Sequence, residues 1–260
     1  MNRKYELVPI ENPEPADRNR FRVRALRQLP MVDVGVLGGI VDGEHNLSHE
    51  GSCWIFPEAR VVYNAHVSGN AQVAGRALVH GHAIVTDSAH VGDDSRVFDH
   101  AVLRGQCSVR GDSTVHDSAE LNHYARVNNS HVFGRSKLHD YAAAEEAVID
   151  NAELYGNTQA NSGALLSGGA WHDCGCIPVI RGILDFAANV SAPGLIRVGC
   201  QEHDLSAWFG ADSALEIVQD HLDMDELPPE SEFWMDYIAV LAKWDLRMRM
   251  AGKLRDLPQP

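Results

Sequence analysis

A period of six governs the middle of this chain. Every sixth residue from Ile55 to Val127 is Ile, Val or Leu, and the residue two before each, from Cys53 to Ala125, is Ala, Ser or Cys. Gly, Asn and Asp recur between these pairs, as in Gly69-Asn70, Gly92-Asp93 and Gly111-Asp112. A helical face repeats about every 3.6 residues, so this pattern gives a helix no apolar side. Small-x-aliphatic suits a short strand that turns two side chains the same way. Gly, Asn and Asp then make the corners, because they tolerate positive φ. The arrangement that satisfies all three facts is a solenoid of short parallel strands with three faces per coil. Val61, Val79, Val97 and Val115 then stack as one interior column. Val67, Val85, Leu103 and Leu121 form a second, and Val73, Val91, Val109 and Val127 a third.

This repeat resembles the hexapeptide-repeat left-handed β-helix family, whose usual pattern sets a small residue four positions after an aliphatic one, as in Val61 to Ala65 and Val73 to Ala77. The left hand comes from that resemblance. The expected fold class is mainly β: a left-handed parallel β-helix with an N-terminal capping strand and a C-terminal α-helical cap. A narrower likeness begins at Leu37-Gly38-Gly39 and continues through Asn46-Leu47-Ser48, Gly51 and Trp54-Ile55 into the hexads. It looks like the opening of phage and prophage β-helix proteins, and it is similar to bacterial proteins described as acyltransferases. The likeness covers roughly residues 35 to 172. Its motifs are architectural: glycines for tight turns and a Trp to plug the first coil.

Three segments are expected: 1–46 as an N-terminal cap, 47–173 as the β-helix, and 174–260 as closing strands with an acidic helical region. In the first, Phe21, Val23 and Ala25 alternate with Arg20, Arg22 and Arg24, as in an edge strand over the first coil; the other reading is a basic arm for acidic ligands. After Val127 the frame slips. Ser130-Val132, Ala147-Ile149 and Ala152-Leu154 come one residue early, and Ala170-His172 is the last expected inward pair. Six to seven coils at ~4.8 Å per strand layer make a rod about 30 Å long. From Cys174 onward, Ile177–Ile180 and Leu195–Cys200 are expected as closing strands. One helix starts near Asp204, and a second follows Ser231 with Phe233, Trp234, Tyr237, Ile238, Leu241, Trp244 and Met248 at helical spacing. The segment Gly199-Cys200-Gln201-Glu202-His203 followed by Trp208 resembles the ends of phage β-helix proteins.

A net charge of −14 argues against general nucleic-acid binding, which needs cations to displace phosphate counterions. No apolar run reaches the roughly 20 residues that span a bilayer, and the N-terminus lacks a signal-peptide core. The expected setting is the cytoplasm of a bacterial host. Residues 201 to 236 hold eleven acids and no Lys or Arg. Asp212, Glu216, Asp220, Asp223, Asp225, Glu226, Glu230 and Glu232 are the candidate contact for a protein partner with a basic surface; the plainer reading is a solvated helix face. The C-terminal helices are also a candidate homo-oligomer contact.

The 14 histidines include many at outward or corner positions, among them His80, His82, His100 and His116, with His82 and His100 placed to stack one coil apart. In hexapeptide-repeat acyltransferases a His often acts as base. The loop those enzymes insert over the substrate has no counterpart between residues 53 and 127, so surface histidines are the reading adopted. The corner acids Asp87, Asp93, Asp94, Asp99, Asp112 and Asp117 are assigned to turn formation rather than cation binding, and Arg76 is placed to pair with Asp94. A weaker alternative is a zinc site from Cys174, Cys176, Cys200 and His203. No Walker loop, dinucleotide fingerprint or nucleophile elbow is present, and no cofactor is expected. The reading that follows is a non-catalytic interaction protein of phage type, in its sharpest form an acidic inhibitor of a host defence complex, anti-CRISPR-like. The alternatives are a trimeric acyltransferase with an acyl-CoA donor and a self-assembling structural solenoid.

Overall fold

The structure, a computed structural model, describes residues 3–11, 15–161, 163–183, 186–209 and 231–257. The hexads fold as their pattern dictates. Each aliphatic residue from Ile55 to Leu121 is 0% exposed, as is each small residue beside it from Cys53 to Ala125. From Arg60 on, the residue between them faces outward on a two- or three-residue strand. Parallel pairing joins residues one coil apart: His90 with Gln72 and Ser108, Arg96 with Leu78 and Thr114, Val102 with Ile84 and Glu120. The protein is therefore mainly β, a parallel β-solenoid. Its chain divides into two compact units, Met1–Ala142 and Ala143–Pro260.

In the first unit, three ladders of short strands carry the coils. The buried columns remove nearly all of their Val and Leu side-chain surface from water, at about 1.5–3 kcal/mol per side chain. Where the small inward residue is Ser, its hydroxyl bonds a carbonyl two or three residues back, as Ser130 does to Asn128 at 2.8 Å and Ser136 to Phe133 at 2.6 Å. That bond meets the requirement that a buried polar atom have a partner.

The cap of this unit is larger than a single edge strand. Tyr5–Pro9 pairs antiparallel with Phe21–Ala25, which pairs antiparallel with Leu37–Val41, and Leu37–Val41 joins the first ladder in parallel at Arg60–Val61. Val23 and Ala25 are buried, as their alternation predicts. The arginines serve this cap internally. Arg20 bridges Asp17 and Asp42, Arg22 bonds the carbonyls of Gly38 and Pro57, Arg24 binds Glu6, and Arg27 bonds the Gly51 carbonyl. Gly38 and Gly39 do not make a tight turn; they lie within a strand. A Cβ on Gly39 would come within 2.3 Å of the Ala59 carbonyl oxygen, so the glycines there permit close backbone approach. Trp54 is 2% exposed beneath this cap and fills the plugging role expected of it.

In the second unit, Ala143–Glu145 pairs with Gln159–Asn161, Val148–Asp150 with Leu165–Leu166, and Glu153–Tyr155 with Ala170–His172, all in parallel. The inward residue here is Trp171 (0% exposed), not His172. It stands opposite Leu154, so Gly169 takes the small position and the wide ring fills the end of the coil. Leu254–Arg255 runs antiparallel along this strand and covers its edge. The two closing strands expected here are four, in a meander of Val179–Ile183, Phe186–Ala192, Leu195–Val198 and Gln201–Asp204. Asp204 caps the short helix Leu205–Phe209 by accepting the Ala207 amide at 2.8 Å. The helix Ser231–Met250 buries Ile238 and Leu241 and sets Trp244 6.3 Å from Trp171. Its Asp245, fully buried, accepts the Gly194 amide at 2.9 Å and lies 2.8 Å from Arg249. No described helix is long and apolar enough to cross a membrane. Counted over both units, the described coils number about seven.

Candidate functional site

The residue after each inward aliphatic begins a corner. On one corner of the first unit these residues are His80, Phe98, His116 and Phe133. Parallel register brings them one above another, with centroids 4.9, 4.7 and 5.2 Å apart and planes within 8° of parallel. Tyr63 closes the column against His80 edge-on at 6.4 Å, and the Arg20 guanidinium lies 5.9 Å above the Tyr63 ring. Beside this column His82 and His100 stack at 5.1 Å, as their spacing predicts. Each offset pair contributes about 0.5–1.5 kcal/mol beyond burial and holds both rings in one orientation. The strands beneath fix the spacing.

Carboxylates flank the rings. His116 Nδ1 lies 3.3 Å from Asp117 Oδ2. Asp99, His116 and Asp117 each place a ligand atom within 4.8 Å of the other two, the one such group among the described residues. One imidazole and two carboxylates match the donors a divalent cation uses. Asp117 already spends Oδ2 on the Gly134 amide at 3.0 Å. Burial pushes the His80 pKa below its ordinary value; Asp99 opposes that shift and Arg96 adds to it. His90, on another face, is also lowered, first by burial and then by Arg110.

Two of the remaining corner acids serve the backbone. Asp87 accepts the Gly105 amide and Asp93 the Gly111 amide, each at 2.9 Å and one coil on. Arg76 and Asp94 form the expected bidentate pair at 2.6 and 2.7 Å. Asp87, Asp93, Asp99 and Asp117 have positive φ, the turn-forming role expected of them.

No family model matches this chain, and no curated protein matches it in sequence. Its functional reading therefore rests on the geometry of its own residues.

Of the acidic contact predicted from sequence, Asp212, Glu216, Asp220, Asp223, Asp225, Glu226 and Glu230 lie outside the described residues. Glu232 is in the first turn of the helix Ser231–Met250. Farther along, that helix leaves Tyr237, Val240, Leu246 and Met250 exposed. The four zinc candidates are not brought together. Cys174 bonds the Lys253 carbonyl at 3.4 Å and, by burial, has its pKa pushed up to about 11. Cys176 bonds Gln159 at 3.4 Å, Cys200 is exposed, and His203 bonds Gln201 at 3.0 Å with its ring edge-on to Trp208. Sequence reasoning placed His80 and His116 outward but missed Phe98 and Phe133 between and beyond them. The signal was present as a ring at every coil step of one corner, and it appears only when all ring types are counted together.

Proposed function

We propose that this chain is a non-catalytic β-solenoid that acts through protein–protein interaction. It is a left-handed hexapeptide-repeat rod of phage type, and its partner presents a basic surface. The observation that carries the reading is the uninterrupted corner of stacked rings and carboxylates. Between residues 53 and 142 no inserted loop folds over that corner, so its side chains stand on an open ridge where water exclusion for acyl transfer is hard to arrange. Such a ridge suits a macromolecular partner. Its rings are held before contact, so docking costs little side-chain entropy. The net charge of −14 draws a basic partner from a distance. Inhibition of a host defence complex whose groove binds nucleic acid is the sharpest form of this reading, because an acidic rod competes for that groove.

The test is affinity purification from a bacterial lysate, comparing the natural chain with one carrying Asp220, Asp223, Asp225 and Glu226 changed to Lys. One stoichiometric partner is expected to be released by salt and lost with the charge-reversed chain, whose circular dichroism stays unchanged. Undiminished capture by the reversed chain takes the contact off the acidic segment, and stoichiometric acetyl-coenzyme A binding without a partner overturns the reading.

A further inference from the structure

The cap of the first unit holds a nucleophile pair that the corner chemistry does not use. Lys4 is 0% exposed, and its Nζ lies 2.9 Å from Cys53 Sγ, 2.9 Å from the Cys53 carbonyl oxygen and 3.4 Å from that of Glu50. Cys53 is also 0% exposed, with the carbonyls of Ser48, Glu50 and Val67 3.6–3.7 Å from its sulfur. Stacking of Tyr5 on His49 at 4.2 Å and the bond from the Lys4 amide to His49 Nδ1 at 3.3 Å hold the first strand in place over the sulfur.

We propose that Lys4 and Cys53 are the site of an oxidative cross-link, an Nζ–O–Sγ bridge that fastens the first strand to the first coil. Nitrogen and sulfur already stand near the separation that one bridging oxygen leaves between them, whereas a direct N–S bond requires a further approach. Burial lowers the Lys4 pKa, which raises the share of neutral amine able to act as a nucleophile. The oxidant is a peroxide. A first hydrogen peroxide converts the thiol to a sulfenic acid and leaves as water. A second replaces the sulfenic hydroxyl with a hydroperoxyl group and releases another water. The Lys4 amine then attacks the sulfur-bound oxygen, the O–O bond breaks, and the departing hydroxide takes a proton from nitrogen as a third water. Sulfur and nitrogen are oxidised and the peroxides reduced. The link holds the capping strand Tyr5–Pro9 on the end that a solenoid must keep covered.

Cys107 is the internal control. It fills the same small inward position and is fully buried, its pKa pushed up to about 12 by burial, and its near partners are backbone groups. The full-length protein is treated with hydrogen peroxide, alkylated without reductant, cleaved at acidic residues and mapped by mass spectrometry. The expected product joins the Lys4 peptide to the Cys53 peptide with a gain of about 14 Da, one oxygen in and two hydrogens out. Dithiothreitol separates the two, and Cys107 forms no such product. In Lys4→Met the linked species is absent and Cys53 proceeds to sulfinic acid. The proposal is overturned if Cys53 in the natural chain is recovered as sulfinic acid beside unmodified Lys4 or as a thiol in the same yield as Cys107. It is also overturned if the linked peptide lacks the oxygen, or if the same mass gain appears in Lys4→Met.

Discussion

Two kinds of corner turn this chain. Through residues 61–127, three residues separate each inward aliphatic from the next small residue, and the middle one has positive φ: Tyr63, Asp87, Asp93, Asp99, Asp117 and His123 lie between 54° and 58°. The short corners Asn128-Asn129, Glu145-Glu146 and Asp150-Asn151 keep the first residue and the positive-φ residue and drop the third. Their φ values at Asn129, Glu146 and Asn151 are 45°, 50° and 49°. Register counts the loss. Val115 pairs with Val132, 17 residues on across one short corner, and Ala144 pairs with Ala160, 16 on across two. The left-handed residue is what turns the chain, and the third residue is a spacer that keeps successive corners in vertical line.

The largest test of that frame strikes the column rather than the corner. Val97→Asp places a carboxylate between Val79 and Val115 in an interior with no partner for it. A loss of about 4 kcal/mol or more is expected, enough to abolish the thermal transition followed by circular dichroism. A melt matching the natural chain's would refute the inward assignment and with it the common core on which both kinds of corner depend.

The second test separates the corners. Gly105 has φ 73° in a long corner, and a Cβ there would meet the His123 backbone nitrogen at 2.7 Å. Gly105→Ala is expected to cost about 2 kcal/mol, from the left-handed penalty plus crowding against the next coil. Asn151 already carries a side chain in its short corner, where its amide bonds Asp150 at 2.7 Å, so Asn151→Ala is expected to cost only about 1 kcal/mol. Urea midpoints measure both. Equal losses would mean that dropping the spacer leaves the crowding at the corner unchanged.

The solenoid was legible because period six admits few solutions and every inward residue obeys it. The frame slips were legible too, because Ser130, Ala147 and Ala152 arrive early. The caps were less so. Lys4 and Cys53 are 49 residues apart, and the strand Tyr5–Pro9 carries no periodic signal, so the burial of a lysine there follows from tertiary pairing alone. Trp171 was misplaced because Ala170 mimics the small position, while Gly169 is the residue that holds it. At the corner, the 18-residue spacing revealed His82 over His100. The trio Asp99, His116 and Asp117 needed side-chain directions that spacing does not supply.

The smallest effect belongs to the ring column and tests whether its histidines are structural. Burial lowers the His80 pKa from its ordinary 6.5, so the unfolded chain binds the proton first as pH falls. The contribution of His80 to stability is therefore complete above about pH 6.5 and declines as pH drops from there through its lower folded value. His49 and His90 shift the same way for the same leading reason and add to the decline. His80→Phe keeps a ring stacked on Phe98 and removes one titration. The loss of melting temperature between pH 7 and pH 5 is expected to shrink by about 1 °C, since solvent screening keeps a half-exposed group's share well under about 1 kcal/mol. If the variant instead melts much lower at pH 7, the imidazole makes a contact that a phenyl ring cannot replace. If acid lability is unchanged, His49 and His90 carry it, and the ring column is indifferent to protonation.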